Sequence, residues 1–256
     1  MTEGAMSAHI PRLRMFAGPN GSGKSTMQSV IRPELLGRSI NPDEIEKTIR
    51  QQGFLDLEPF GVQTAPEEIL SFFLSSTLLQ KAGLTASASD LNFSAGKLGF
   101  QSVQINSYWA AVAADFLRQK LLEKRESFTF ETVMSSPDKV ALLEKAQHLG
   151  YRTYLYYVAT DDPIINISRV RNRVRLGGHS VPEDKIVSRY ARSLDLLMEA
   201  IRYSHRAYIF DNSNHRHIWL AEITGGSLME LRTDRIPHWF KNAILDKIDN
   251  AENQTR

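Results

Sequence analysis

The chain of 256 residues contains no cysteine. That absence excludes disulfides, thiol nucleophiles and thiolate metal sites, and it is compatible with a reducing cytosol. No apolar run is long enough to span a membrane, and no stretch has the layout of a signal peptide. Strong charge of one sign is missing too. Lys and Arg number 31 against 29 Asp and Glu, a formal net charge of +2. No overall field therefore draws the chain to nucleic acid or to an anionic membrane, and neither is expected as a partner. Internal repeats, heptad runs and low-complexity tracts are also lacking. What is left, 42% hydrophobic and 23% charged residues, fits a globular, cytoplasmic protein. The first eleven residues, MTEGAMSAHIP, read as a loose lead-in.

What the chain does have is concentrated early. Gly18, Pro19, Asn20, Gly21, Ser22, Gly23, Lys24, Ser25 and Thr26 spell GPNGSGKST, which satisfies the GxxxxGK[ST] pattern of a phosphate-binding loop. The glycines permit backbone conformations closed to bulkier residues. The loop can then turn its N–H groups onto phosphate oxygens, with Lys24 reaching the β- and γ-phosphates and the Ser25 hydroxyl suited to Mg²⁺. The flanks agree. Residues 12–17 (RLRMFA) read as a short apolar strand, and residues 25–36 as a helix whose positive end faces the anion, with Pro33 bending or ending it. ATP is the expected nucleotide, because no guanine-reading NKxD motif is present. A transporter-type LSGGQ signature is absent as well.

Further along, strands are expected at 38–40, 127–132, 151–159 and 206–211, alternating with helices. Asn41, Pro42, Asp43 and Glu44 form a helix start, the helix running to about residue 52. Residues 53–66 are loop-like, 66–82 helical, 83–100 without periodicity, and 104–125 a long helix carrying Trp109, Val112, Phe116 and Leu121 as core. Helices follow at about 137–149, from 163 to the break GGHSVP, and from 182 to 203. Residues 217–224 and 227–232 read as a hairpin and 236–250 as a final helix. Alternating strands and helices imply a three-layer α/β/α domain on a mainly parallel five-stranded sheet. We read it as one domain, 1–256, with a helical insertion at 53–125 on the acceptor side, a lid region at 163–203, and a C-terminal hairpin and helix at 214–256.

Three groups of residues could carry chemistry. Asp43 is either a dipole-favouring helix start or a functional acid at the carboxyl end of the second strand, the edge where open α/β sheets bind ligands. Arg169, Arg171, Arg173 and Arg175 are either a solvated basic face or the inner side of a lid. The glycine break and the returning Lys185, Arg189 and Arg192 favour the lid, with Arg173, Arg169 and Arg189 toward ATP. Glu131 and Thr132 end a central strand. They are either a solvent-facing strand end or a polar pair that binds the acceptor or a metal-bound water.

Taken together, AGPNGSGKST (17–26), NPDEI (41–45), FTFETVMSS (128–136), GYRTYLYYVA (150–159), RVRNRVRLGGHSVPEDKIVSRYARSL (169–194) and the DNS of 211–213 resemble the zeta-toxin family of small kinases. These are the toxins of bacterial toxin–antitoxin pairs. The resemblance spans most of 13–213. It implies ATP-dependent phosphorylation of an alcohol group on a UDP-activated sugar, typically the 3′-hydroxyl of UDP-N-acetylglucosamine. It also implies Mg²⁺, an antitoxin partner, Asp43 as the base, Lys24 and lid arginines on the phosphates, and Glu131 with Thr132 as acceptor contacts. In better-known members the acid and threonine are separated by one residue and an arginine follows. Here they are adjacent. A different small-molecule hydroxyl acceptor, such as an antibiotic, and a non-catalytic ATP-binding interaction protein are the alternatives.

Overall fold

The structure is a computed structural model and describes residues 10–254 apart from 30 and 215. Residues 1–9 of the expected lead-in lie outside the described residues. The chain divides into two compact units, one made of 1–36 with 129–256 and the other of 37–128.

In chain order, the first unit opens with β1 (Arg12–Ala17), α1 (Lys24–Ser29) and α2 (Pro33–Leu36). The single helix expected at 25–36 is therefore two. Proline lacks the N–H a helix interior needs, so Pro33 starts a new turn instead of continuing the old one. The second unit holds β2 (Arg38–Ile40), α3 (Pro42–Gln52), β3 (Phe54–Asp56), α4 (Pro66–Leu74), α5 (Thr77–Lys81), α6 (Thr85–Ala88), β4 (Asn92–Ser94), β5 (Lys97–Gly99) and α7 (Ser107–Glu123). The chain then runs through β6 (Phe128–Thr132), α8 (Asp138–His148), β7 (Arg152–Ala159), α9 (Pro163–Arg175), α10 (Glu183–Asp195), α11 (Leu197–Arg202), β8 (Arg206–Asp211), β9 (Ile218–Thr224) and β10 (Leu228–Leu231). It ends in α12 (His238–Phe240), a π-helical turn at Lys241–Leu245, and α13 (Asp246–Gln254).

The strands of the first unit lie in the order β10-β9-β8-β7-β1-β6. β1 pairs in parallel with β7, and β7 with β8. A parallel pair needs a crossover, and α9, α10 and α11 supply the one between β7 and β8. Leu13, Met15, Phe16 and Ala17 are all fully buried, as a central strand covered on both faces demands. The C-terminal hairpin extends this sheet. β9 runs antiparallel to β8, and β10 antiparallel to β9. The architecture is the three-layer α/β fold with a mainly parallel sheet.

The second unit begins at residue 37, earlier than the insertion read from the sequence at 53. Its α3 is capped at both ends. Asn41 Oδ1 accepts the Asp43 N–H at 2.9 Å, and Gly53, at φ 77°, donates its N–H to Ile49 O. Residues 83–100, without periodicity in the sequence, contain α6 and the β4–β5 hairpin, and β3 joins them in a three-stranded antiparallel sheet. Each of these strands is three residues long, too short to show an alternation. The helix expected at 66–82 breaks after Leu74, where Ser76 takes over as the N-cap of α5 through the Leu79 N–H. Trp109, Val112, Phe116 and Leu121 are buried, with Trp109 stacked on Phe73 and edge-on to Phe100. They are core.

Candidate functional site: a phosphate-binding loop with a carboxylate against it

β1 delivers its buried carboxyl end directly into the loop. Gly18 turns at φ 141°, and a Cβ there would stand 2.0 Å from the Val158 carbonyl oxygen on the neighbouring β7. Gly23 has φ 98°, and a Cβ there would meet the Asn212 amide at 2.3 Å. Any larger residue at either position would force the loop off the sheet edge.

Two asparagines hold the loop from outside. Asn166 Nδ2, on α9, donates to Asn20 O at 2.6 Å. Asn212 Nδ2, just after β8, donates to Ser22 O at 2.7 Å. Lys24 Nζ donates to Gly18 O at 2.9 Å and to Pro19 O at 3.0 Å. Four carbonyls that would repel an anion are thereby engaged, which suits a loop that offers its N–H groups to phosphate. Lys24 is only 6% exposed. Its Nζ lies 3.8 Å from Glu131 Oε1, and Ser25 Oγ donates to Glu131 Oε2 at 2.9 Å. Thr26 stands exposed in the first turn of α1, its carbonyl accepting from Ser29 Oγ. Gly21 lies against Asn166, whose carbonyl a Cβ would meet at 2.7 Å.

In and around the loop, Asn20 Oδ1, Ser22 Oγ and Arg169 Nη1 are buried without a hydrogen-bond partner among the described residues. Buried polar atoms in native proteins are paired, so such a group of orphans marks a place for water, ions or ligand. Burial pulls the His217 imidazole below its ordinary pKa, with Gly23 backbone opposing the shift, Arg169 adding to it and Asp211 opposing it. Burial also lowers Arg169, against the pull of Asp211.

The arginine row divides by neighbour. Arg169 Nη2 donates to Asn214 O at 3.1 Å, which puts it one helical turn from Asn166 and on the loop side of α9. Arg171 pairs with Glu183 across to α10, with Nε at 2.7 Å and Nη2 at 2.5 Å from the same oxygen. Arg173 Nη2 donates to His179 O at 3.0 Å, in the glycine break itself. Arg189 is half-buried on α10. The 163–203 region is three helices, because α10 ends at Asp195 and α11 restarts at Leu197. Tyr190 OH donates to Thr160 O at 2.6 Å, anchoring α10 to the end of β7.

Thr132 does not share the loop with Glu131. Its Oγ1 accepts the Met134 N–H at 3.0 Å, shaping a turn in which Met134 has φ 53°. Asp43 is exposed in the first turn of α3, in the second unit. Sequence spacing alone does not mark Asn166 and Asn212 as loop supports. The asparagine of the DNS stretch is visible in the sequence, but only the fold brings it against Ser22.

Among the described residues no cluster of three or more His, Asp or Glu could by itself hold a metal. A serine hydroxyl beside a carboxylate is an all-oxygen donor set, and it fits Mg²⁺, which takes few protein ligands and completes its shell with water and phosphate.

Residues 104–224 match the family model described as Zeta toxin. An uncharacterized protein of Haemophilus influenzae (strain ATCC 51907 / DSM 11121 / KW20 / Rd) is 28% identical over 69 residues, covering 27% of this chain and 49% of that protein. The match thus spans about half the length of this curated relative. Among solved structures, the AvrRxo1-ORF1:AvrRxo1-ORF2 complex with sulphate ions aligns at a TM-score of 0.53 and 14% identity, over 89% of this chain and 62% of that one. The same complex with ATP aligns at 0.52 and 14%, over 88% and 61%. At such identity the likeness establishes the fold. The family match takes in β6 with Glu131, β7, the arginine helices and β8 through β9, so this part of the chain, residues 104–224, is similar to the zeta-toxin family.

Proposed function

We propose that this chain is an ATP-dependent kinase that phosphorylates a hydroxyl of a UDP-activated sugar, of the UDP-N-acetylglucosamine 3′-OH kind, and acts in the cytoplasm as a toxin restrained by an antitoxin protein. The observation that carries the reading is the loop itself, with Lys24 buried against its carbonyls, Ser25 fixed on Glu131, and orphaned polar atoms around it. The ATP-bound AvrRxo1-ORF1:-ORF2 structure supports the choice of nucleotide, and that complex of two chains supports a protein partner.

In this mechanism residues 18–26 hold the β- and γ-phosphates through backbone N–H groups and Lys24. Mg²⁺, when bound, neutralises charge on the phosphates. Ser25 would supply its protein ligand. Arg169, Arg173 and Arg189 answer the charge that spreads over the transferring group, where a planar guanidinium is most effective. Asp43 accepts the proton of the attacking hydroxyl. The acceptor side is assigned to Asp43, Thr132 and the 53–125 insertion, and 163–203 serves as the lid. The test is incubation with Mg²⁺-ATP and a panel of UDP-sugars, read by mass spectrometry. A mass gain of one phosphoryl group on one UDP-sugar is the expected result. Phosphorylation of none of them, with ATP still bound, would overturn the choice of acceptor.

A further inference from the structure

The strand order ends at β10, so one side of its backbone has no neighbouring strand among the described residues. Opposed residues in an antiparallel pair alternate between hydrogen-bonded and non-bonded. Arg232 donates its N–H to Leu220 O at 2.8 Å, one step beyond the Leu231–Ala221 partners. Arg232, Glu230 and Leu228 therefore turn their backbone groups toward β9. Leu231 and Met229 turn theirs outward, to the open edge.

Natural edge strands are blunted by lysine, proline, bulges or cover. Residues 228–231 (LMEL) contain neither lysine nor proline, and Leu228 and Leu231 are 63% and 50% exposed. The edge can accept a strand, and its own sequence fits it. When two copies pair antiparallel about a two-fold axis at Leu231, that residue faces its counterpart in a hydrogen-bonded pair, using the outward groups. The same register sets Glu230 opposite Arg232 of the other copy, twice, at non-bonded positions where side chains come closest. Centring the axis on Glu230 would oppose two carboxylates instead, which is destabilising. Glu230 already lies 2.9 Å from Arg232 of its own chain, so association exchanges one arginine for another.

We propose that β10 joins two copies of this chain by antiparallel pairing centred on Leu231, the sheet of one copy continuing into that of the other.

The experiment is sedimentation equilibrium over a concentration series, for the wild type, Glu230→Arg, Arg232→Glu and an equimolar mixture of the two variants. The wild type should move from the mass of one chain to that of two. Each variant should raise the dimer Kd roughly tenfold or more, because two attractive pairs become repulsive. The mixture should associate again, since unlike charges then stand opposite at both positions. Arg232 also pairs with Glu222 at 2.8 Å and lies over the Trp219 ring, so a second measurement leaves it untouched. The chain has no cysteine. Leu231→Cys places one thiol per copy at the axis, where opposed Cα atoms lie about 5.5 Å apart, within disulfide reach. Leu228→Cys is on the same strand, but its counterpart is about six residues of strand away, or about 20 Å. Under mild oxidation the first should cross-link and the second should not. A wild type that keeps the mass of one chain at every concentration overturns the proposal and leaves the edge to a strand of a different protein. Association untouched by Glu230→Arg, or cross-linking as fast at 228 as at 231, overturns it as well.

Discussion

The indole Nε1 of Trp239 donates to Asp211 Oδ1 at 2.9 Å, with both residues buried. The same carboxylate accepts from Ser213 through Oγ at 2.6 Å and N–H at 3.2 Å, and the Trp239 N–H reaches Asp161 at 3.1 Å. One acid therefore fastens the end of β8, the turn beside the loop-supporting Asn212, and the start of the C-terminal helices. Asp211→Ala strips partners from buried donors. Hydrogen bonds to a charged group contribute ~1.5–3 kcal/mol each, so losing the buried one from Trp239 Nε1 alone should cost up to about 3 kcal/mol. Urea unfolding should show a lower midpoint with an unchanged slope. A loss below about 0.5 kcal/mol, the range of ordinary surface substitutions, would contradict this account.

That network also shows where a linear sequence stops being informative. The loop, β1 and the α3 start were legible because their signals are local: glycine spacing, an apolar run, and Asn-Pro-Asp-Glu at a cap. The arginine row was legible as a pattern, but its division of labour was not, because Glu183 and the His179 carbonyl are partners only once the helices fold back. Trp239 lies 28 residues from Asp211, and no spacing rule connects an indole to that acid. The second unit was the least legible. Its three-residue strands carry no periodicity, and its core is assembled from aromatics on α4, α7 and the β5 end.

His217 gives a pH dependence with a defined sign. Burial, first of all, lowers its pKa from the ordinary 6.5, and His205 is lowered from the same value, also mainly by burial. The folded chain then holds fewer protons than the unfolded chain between the depressed values and 6.5. Stability is complete above that ordinary value and falls as pH drops through the folded values. His217→Gln removes one of the two titrations. The difference in urea midpoint between variant and wild type should shift in favour of the variant as pH falls from about 7.5 to about 5, across the range where imidazole titrates. A pH-independent difference would show that His217 does not titrate there.

Lys24→Ala should reduce phosphoryl transfer by about 10²–10³-fold, the scale on which a single preorganised electrostatic contact acts. The substitution also frees the Gly18 and Pro19 carbonyls, so ADP affinity should fall as well. Steady-state kinetics and ADP titration check both. Wild-type turnover in this variant would remove the loop from the active site.

Arg171 and Arg173, two residues apart, should behave differently. The Arg171–Glu183 pair is more than half exposed on both sides, and exposed pairs contribute ~0–1 kcal/mol. Arg171→Ala should therefore leave stability and ADP affinity close to the wild type. Among the described residues, Arg173 donates to a carbonyl of the glycine break, a contact that a closing lid could exchange for a phosphoryl oxygen. Arg173→Ala should lower the transfer rate constant more than it weakens ADP binding, because the charge it meets is greatest in the transition state. Equal losses in both would make it a ground-state contact. Single-turnover kinetics beside ADP titration separates the two cases.

Asp43 carries the most specific mechanistic claim. A sugar hydroxyl is a weak nucleophile near neutral pH, and its proton must leave as the phosphoryl group arrives. A carboxylate in reach can take it, a contribution of roughly 10²–10⁴-fold. Asp43 stands exposed in the first turn of α3, with its N–H on Asn41 Oδ1 and Glu44 beside it. The backbone cap belongs to Asn41, not to the Asp43 carboxylate, so Asp43→Asn should leave α3 and the overall stability unchanged. It keeps size and shape while removing the ability to accept a proton. The variant should bind ATP with wild-type affinity and lose phosphorylation by two orders of magnitude or more, on the scale just given. Bacteria expressing it should grow where the wild type arrests them. An asparagine variant that phosphorylates its acceptor at the parent rate would eliminate Asp43 as the base. One that loses ATP affinity in proportion to activity would instead make Asp43 a part of the nucleotide site.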